Sequence, residues 1–207
     1  MRAYYEDLWE RMPERGEPPD FHRRRSFLLA RIGLERGRVL DLGCGTGEFT
    51  AALAAVGARP TGAEVAEAAL RRARERAPEL DFRLVPPEGP LPFADAEFDA
   101  VWASEVIEHV TDTGRWLSEV RRVLRPDGLL LLTTPYHGRL KGALLALARF
   151  ERHFDPRGEH LRFYTPRSLC ELLEDFGFVG VELSTTGGPP LLRRTLLARA
   201  RRARWAG

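Results

Sequence analysis

The sequence predicts an α/β fold, a doubly wound parallel sheet with helices on both faces. Strand-like and helix-like stretches alternate from residue 38 to residue 134, as expected of such a sheet. A glycine-rich turn, Gly43-Cys-Gly-Thr-Gly47, follows directly on an apolar strand and precedes a helical stretch. The 207 residues suffice for one domain with a buried core and a few additions.

The elements of this sheet are predicted from the spacing of their apolar residues. Strands are expected at 38–42, 59–64, 81–85, 98–103 and 128–134, and helices at 47–56, 66–76 and 113–124. Thr111 and Thr113 are candidate N-caps of the third helix, and Pro126 and Gly128 are expected to end it. Pro166 is expected in the first turn of a later helix.

Two segments lie outside the alternating pattern. Residues 1–32 are predicted to form two helices and to be a helical cap or lid, while residues 33–207 form the main domain. Residues 136–163 are predicted as an insert with an apolar helix at 140–150. Both segments are expected at the carboxyl edge of the sheet, where they either cover a ligand or merely cap the core.

The glycine turn predicts a site for a nucleotide-type cofactor with a cationic group. Ligands of α/β proteins bind where a strand ends in a glycine turn and a helix begins. Dinucleotide sites need Gly-x-Gly-x-x-Gly, but Glu48 stands where the third glycine belongs, which disfavours a nicotinamide enzyme. Asp41 would repel a diphosphate and instead suits a cofactor that carries an amino group.

The run from Val39 to Gly47 resembles motif I of the class I S-adenosylmethionine (SAM) methyltransferases. The resemblance implies that SAM is the cofactor and S-adenosylhomocysteine (SAH) its product. It also implies that the strand end and the turn contact the cofactor through Asp41, Gly43, Cys44, Gly45 and Gly47.

Three further cofactor contacts are expected beyond the turn. Glu64 ends the second strand about 20 residues later, where an acid can accept hydrogen bonds from ribose hydroxyls. The resemblance assigns Glu64 this role and places Val65 against the adenine. Where the family often has an acid for the adenine amino group, this chain has Pro87, so either Glu88 or the backbone near it takes that part. Ser104 is also included among the cofactor contacts.

The segment Ser104–Val110 and the later run His160–Leu169 resemble the ubiquinone-biosynthesis O-methyltransferases. This implies an enzyme that methylates a small-molecule acceptor, most readily at a hydroxyl oxygen. A histidine can share the proton of a phenol, because their pKa values are about 6.5 and about 10. His109 is the first candidate for this base and His160 the second.

Two other interpretations of this segment are open. If residues 104–110 are helical, Glu105, Glu108 and His109 share one face and can hold a divalent ion. Alternatively, the segment is a structural turn without ligands. No metal ligand is assigned.

Composition and the remaining motifs limit the class of partner. The formal net charge of +2 gives no excess of positive charge for nucleic acid, and the strand at 98–103 is followed by no base-methylating motif. A SAM-binding protein without catalysis and a nucleic-acid methyltransferase are the alternatives. The sequence has no apolar run of about 18 residues, and a cytoplasmic location is expected. The oligomeric state is not predicted.

The last part of the chain has two interpretations. Residues 191–204 could be a basic amphipathic helix in peripheral contact with an anionic membrane. The resemblance instead implies strands at 178–184 and 195–200, the second one antiparallel, in a Rossmann-like sheet of seven strands. The strand interpretation is favoured.

Overall fold

The computed structural model describes residues 2–12, 18, 20–33, 37–148, 150–153, 160–189 and 192–204. The strands are β1 (Arg38–Leu42), β2 (Arg59–Glu64), β3 (Asp81–Leu84), β4 (Phe98–Ser104), β5 (Leu124–Pro135), β6 (Phe178–Thr186) and β7 (Thr195–Arg202). The helices are α1 (Arg2–Arg11), α2 (Phe21–Ile32), α3 (Glu48–Ala55), α4 (Glu67–Arg76), α5 (Thr113–Val123), α6 (Arg139–Ala148), α7 (Phe150–His153) and α8 (Pro166–Asp175).

The strands form one seven-stranded sheet in the order β3-β2-β1-β4-β5-β7-β6. Strands β1 to β5 pair in parallel, whereas β7 runs antiparallel between β5 and β6. The predicted seven-stranded Rossmann-like fold is confirmed. The chain order reverses between β1 and β4, and such a switch point leaves a crevice at the carboxyl edge of the sheet.

The sheet is covered on both faces, as predicted, and β4 shows why. Val101 and Ala103 face the core under α5 and α8, while Ala100 and Trp102 face the core under α2 and α3. Side chains of a strand alternate between its faces, so the four consecutive apolar residues 100–103 of β4 require cover on both faces. Full burial of one large apolar side chain contributes roughly 1.5–3 kcal/mol to stability.

Two predicted boundaries of α5 are wrong. The N-cap is Asp112, whose Oδ1 accepts the N–H of Arg115 at 2.9 Å. The predicted candidates Thr111 and Thr113 do not cap the helix. The helix ends at Val123, and Pro126 and Gly128 lie inside β5. The register between β4 and β5 shifts there, and Asp127 has a φ of 62°, so the chain bulges before the regular strand begins.

The start of α8 agrees with its prediction. Pro166 occupies the first turn, and Thr165 forms a reciprocal capping pair with Ser168. The helix packs Leu169 and Leu173 into the core, where both are fully buried.

The two helices predicted in residues 1–32 have different positions. α2 buries Phe27, Leu28 and Ile32 against the sheet and is part of the core. α1, whose residues are all described, buries none of them and lies against α4. That residues 1–32 act as a cap or lid stays a prediction.

The insert after β5 is helical over the described residues Arg139–Ala148 (α6) and Phe150–His153 (α7), which overlap the helix expected at 140–150. Its residues 149 and 154–159 lie outside the described part of the chain. Among the described helices, none has the length and apolar character needed to cross a bilayer.

Candidate active site

A cavity of about 720 Å³ opens at the carboxyl edge of the sheet, at the predicted switch point. This volume is within the range of about 300–1,000 Å³ that is typical of small-molecule and cofactor sites. The glycine turn, the ends of β2 and β4, the loop after β3, α1 and the start of β7 all line it. The cavity is therefore assembled from segments that lie far apart in the chain.

The glycine turn forms the floor of the cavity. Gly43, Cys44 and Gly45 line it, whereas Gly47 lies behind them as the N-terminal residue before α3. Gly43 has a φ of 78°, and a β-carbon there would lie 2.4 Å from Cγ2 of Val106. A side chain at this position would therefore collide with the segment after β4, and only glycine lets the two approach. The turn fits a cofactor that lies against the backbone.

Asp41 lies beneath this turn and is not among the residues that line the cavity. Its side chain is 1% exposed, and Oδ2 accepts the hydroxyl of Thr50 at 2.6 Å. Burial raises the pKa of Asp41 to about 7. Its contact with the ammonium group of the cofactor stays a prediction.

Glu64 lies at the end of β2 with its carboxylate in the cavity. Oε2 accepts the N–H of Gly45 at 3.0 Å, while Oε1 accepts those of Val65 and Ala66 at 2.8 and 3.3 Å. A carboxylate offers about four accepting positions, so one remains for a ribose hydroxyl. From the sequence alone, Glu64 is expected to be able to accept both ribose hydroxyls. The Glu64 carboxylate can thus accept one ribose hydroxyl of SAM directly, and a second one if that hydroxyl displaces a backbone N–H.

The loop after β3 brings the predicted adenine contacts to the same cavity. Val65, Pro87 and Glu88 all line it, and the Glu88 side chain is exposed. Glu119 of α5 holds the loop, because its Oε2 accepts the N–H of Leu91 at 2.7 Å. Whether Glu88 or the backbone binds the adenine stays a prediction.

Arg24 is a site residue that the sequence prediction missed. It lines the cavity, is 4% exposed, and donates a hydrogen bond to Oγ of Ser104 at 2.8 Å. Ser104 contacts Oγ1 of Thr133 at 3.0 Å, which in turn donates to Glu105 at 2.7 Å. Burial lowers the pKa of Arg24, and Glu105 and Asp20 counter this effect. The chain of bonds places a buried cation beside the predicted cofactor contact Ser104.

A helical pattern could have found Arg24. It is the middle one of three consecutive arginines, of which Arg23 and Arg25 are exposed. Positions 24, 27 and 28 share one face of α2, and Phe27 and Leu28 mark that face as buried.

His109 lines the cavity from the segment after β4. Residues 105–110 form a turn and no helix, and Glu105 has a φ of 56°. The condition for the alternative in which Glu105, Glu108 and His109 share one helix face is therefore not met. Glu105 lies against Thr133, as described above.

The structure brings together a different set of three side chains. His109 Nε2 lies 3.8 Å from Oε1 of the fully buried Glu108, and the rings of His109 and His160 are 4.9 Å apart. One ligand atom from each of these residues lies within 4.8 Å of the others. His160 is held next to His109 because the following residue, Leu161, donates its N–H to the carbonyl of Glu108 at 2.9 Å.

Glu108 is the buried member of this cluster. Its Oε2 accepts the hydroxyl of Thr134 at 2.9 Å, and among the described residues Oε1 has no hydrogen-bond partner. Burial raises the pKa of Glu108 to about 8, and the charge of Glu105 adds to this effect. The cluster can orient a histidine base, or it can supply three ligands to a divalent cation.

The favoured strand interpretation of residues 191–204 is confirmed over the amphipathic-helix alternative. Residues 195–202 form β7, and their arginines contact the protein itself: Arg199 pairs with Glu182, and Arg201 and Arg202 donate to the carbonyls of Asp127 and Leu124. A strand between two partners cannot present the apolar face of a helix to a bilayer.

Comparison with known proteins gives consistent results. A family model described as a methyltransferase domain matches residues 8–183. The ubiquinone biosynthesis O-methyltransferase of Dinoroseobacter shibae is 35% identical over 152 residues, 70% of this chain and 61% of that protein. Its counterpart from Thiobacillus denitrificans is 32% identical over 171 residues, 79% of this chain and 73% of that protein. The chain thus spans about three fifths of the length of the first relative.

A solved structure has the same fold. Phosphoethanolamine N-methyltransferase 2 of Haemonchus contortus, in complex with phosphomonomethylethanolamine and SAH, superposes with a TM-score of 0.71 at 18% identity. The match covers 87% of this chain and 52% of the other.

Proposed function

The chain belongs to the SAM-dependent methyltransferases, and from this premise we propose that it methylates a hydroxyl oxygen of a small molecule, with His109 as the base. SAM supplies a methyl group on a positively charged sulfur, which is already activated for displacement. The protein must align the acceptor with this methyl group and take the proton of the hydroxyl. One observation carries the proposal: His109 lines the same cavity as the glycine turn and Glu64.

The residues of the cofactor half have separate tasks. The glycine turn lets the cofactor approach the backbone, and Glu64 accepts a hydrogen bond from the ribose. Arg24 supplies a buried positive charge that suits the carboxylate of the methionine part, since guanidinium–carboxylate pairs form charge-assisted hydrogen bonds. Asp41 supplies negative charge behind the turn for the ammonium group.

The Glu108 carboxyl group supports His109 as a base. It lies 3.8 Å from Nε2 and is itself held by Thr134, and above its pKa of about 8 its negative charge stabilises the charge that the ring gains with the proton. The hydroxyl acceptor is also supported by the relatives named above, which are O-methyltransferases by name.

The cluster of Glu108, His109 and His160 favours a second mechanism with the same product. A divalent cation held by these residues would lower the pKa of the acceptor hydroxyl and so replace the histidine base. Treatment with EDTA followed by Mg²⁺ or Zn²⁺ distinguishes the two. Turnover that survives EDTA supports the base, and turnover that needs the added ion supports the metal.

The proposal is tested by a methyl-transfer screen with labelled SAM against phenols, quinols, carboxylic acids and glycans. With the acceptor found, His109→Gln should keep the SAM affinity and lower turnover about 10²-fold or more, as expected for loss of a general base. Glu64→Ala is the contrasting variant, because it should weaken SAM binding more than about tenfold by removing hydrogen bonds to a charged group.

Other results would support the alternatives. A protein that binds SAM but methylates no compound of the screen, RNA or DNA would be a non-catalytic SAM-binding protein. Product with RNA or DNA alone, with binding that weakens as salt rises, would make it a nucleic-acid methyltransferase. Unchanged turnover in His109→Gln would remove His109 as the base.

A further inference from the structure

We propose that the acceptor carries an oxyanion, a carboxylate or a phosphate, and that Arg194 binds it. This inference rests on the proposed methylation of a hydroxyl group and names the class of molecule that bears it. Arg194 directly precedes β7 and lines the cavity together with Thr195 and Pro135.

Arg194 is on the side of the cavity away from the glycine turn and Glu64. From β1, which leads into the glycine turn, to β7 the sheet crosses three strand spacings. At about 4.8 Å per spacing, this is a distance of roughly 14 Å. His109 and His160 also line the cavity, so the acceptor has its reacting end near the histidines and can reach Arg194 with another group.

The backbone of Arg194 is fixed from both sides. Its N–H donates to the carbonyls of Thr186 and Gly187, each at 3.1 Å, at the end of β6. Its carbonyl accepts the N–H of Tyr136, after the end of β5, at 2.7 Å. The side chain therefore starts from a point held by two strands, so that less freedom is lost when it binds a ligand.

The turn before Arg194 leaves space for its side chain. Gly187 has a φ of 72°, and a β-carbon there would lie 3.3 Å from Cβ of Arg194 and 3.0 Å from Oδ2 of Asp20. A larger residue at 187 would crowd both side chains. The sequence Thr-Gly-Gly-Pro thus gives room to a long cation at the edge of the cavity.

Asp20 lies near the base of the Arg194 side chain but pairs with Arg23. The guanidinium group of Arg194 takes part in none of the ion pairs or hydrogen bonds in the described part of the protein, although the adjacent Arg193 donates to the carbonyl of Gly188 at 2.8 Å.

Arg24, the buried cation of the same cavity, donates to Ser104 and has acids nearby. Arg115 of α5 also lines the cavity, but it lies near Glu119 on its own helix, which leaves the guanidinium of Arg194 as the cation at the β7 side for an added anion.

A guanidinium group is suited to carboxylates and phosphates in particular. Its planar set of N–H groups can donate two parallel hydrogen bonds to either group, which a neutral ester or amide cannot accept with the same strength. The acceptor class is accordingly a hydroxylated acid, such as a hydroxyaryl carboxylate or a hydroxylated aryl phosphate.

The test begins with binding to the SAH-loaded protein. Calorimetry would compare benzoate, phenyl phosphate and neutral benzamide on the wild type, Arg194→Gln, Arg194→Lys and the control Arg25→Gln. Arg25 is an exposed arginine of α2 that does not line the cavity. We expect Arg194→Gln to weaken the tighter anion at least tenfold and to leave benzamide unchanged. Arg194→Lys should retain part of the affinity, and Arg25→Gln should behave as wild type.

A second measurement links the anion to turnover. Methyl transfer to 4-hydroxybenzoate would be compared with transfer to its methyl ester, with the expectation that Arg194→Gln raises KM for the acid alone. The tighter of the two anions, benzoate or phenyl phosphate, identifies the group as carboxylate or phosphate.

The failures are distinguishable. If both anions bind no more tightly than benzamide, or if Arg194→Gln binds them as the wild type does, the anion site is refuted whatever the turnover. Equal KM values for acid and ester would also refute it while the proposed function stands. If anion binding depends on Arg194 but no hydroxyl compound is methylated, the proposed function fails and the anion site stands.

Discussion

At the scale of single residues, Asp41 lies beneath the predicted cofactor site, where burial makes ionisation of its carboxyl group unfavourable. Asp41 is 1% exposed, and the Thr50 hydroxyl donates a hydrogen bond to its carboxyl group. Glu64 and Glu48 add negative charge and raise its pKa further. A buried acid with a raised pKa destabilises the protein at any pH where it must ionise. Negative charge for the cofactor is thus kept at a cost in folding free energy.

We predict that Asp41→Asn stabilises the ligand-free protein at high pH. The pKa of Asp41 is about 7 in the folded state against 3.8 unfolded, so the folded state holds more protons between these values and stability falls as pH rises through that window. Asparagine still accepts from Thr50 but cannot ionise. The gain above pH 7 should be on the order of a few kcal/mol, since one pKa unit is about 1.4 kcal/mol. Thermal unfolding at pH 4 and pH 8 measures it.

The same variant should bind SAM more weakly, because the charge that faces the ammonium group is lost. Thr50→Val serves as the control, since it removes the hydroxyl donor and leaves the carboxylate. A variant that melts lower than wild type at pH 8, or that gains equally at pH 4, would show that ionisation of Asp41 does not limit stability.

At the scale of elements, α1 is attached to the domain by few contacts. The carboxylate of Glu6 accepts the N–H groups of Glu67 and Ala68 at 2.7 and 2.9 Å, at the start of α4. The N-cap residue of α4, Ala66, has no side chain that could do this. Glu6 therefore caps α4 from another helix, where negative charge is favourable. Since Trp9 of α1 contacts the glycine turn, this cap holds α1 over the cavity.

We predict that Glu6→Ala speeds the release of SAH. A lost N-cap costs about 1 kcal/mol, which corresponds to roughly a fivefold change in the stability of the closed arrangement. Stopped-flow displacement of SAH should show an increase of that size in the dissociation rate. Glu10→Ala, an exposed acid on the same helix, is the control and should release SAH at the wild-type rate. Equal rates in the two variants would show that α1 does not gate the cofactor.

The elements also show which local patterns could be interpreted. The strand and helix at 38–42 and 47–56 were predicted to within one residue, because an apolar run, glycines and a helical period coincide there. The turn at 105–110 and the strand β7 were ambiguous, since short segments fit several periods. Residues 195–202 form a strand because they pair with β5 and β6, and no local sequence pattern encodes this pairing.

At the scale of the whole molecule, the site joins segments whose proximity the sequence does not state. The glycine turn and Glu64 could be found because each lies at the end of a predicted strand. His160 meets His109 through a loop 51 positions later, and Arg194 reaches the cavity only because β7 lies between β5 and β6. Such contacts depend on the complete topology. Residue type alone therefore identifies candidate site residues, and the fold determines which of them lie in the cavity.

The distribution of these segments predicts how SAH stabilises the molecule. The central strands β4 and β5 contain fully buried residues such as Val101 and Leu131, so their amides should already be protected without a ligand. α1, which buries none of its residues, and the loops at 43–47 and 85–91 contribute residues to the lining of the cavity. Hydrogen exchange with and without SAH should therefore show added protection in these three segments and little change in β4 and β5.

The global stability should rise in parallel. SAH at 100 times its Kd contributes about 2.7 kcal/mol, and a domain of this size gains about 2–4 °C in Tm per kcal/mol, so Tm should rise by roughly 5–11 °C. Glu64→Ala at the same SAH concentration should show a smaller rise, because its Kd is higher. Protection spread evenly over the sheet, or absent from α1, would mean that the ligand stabilises the fold without closing the cavity, and the role given to α1 would be wrong.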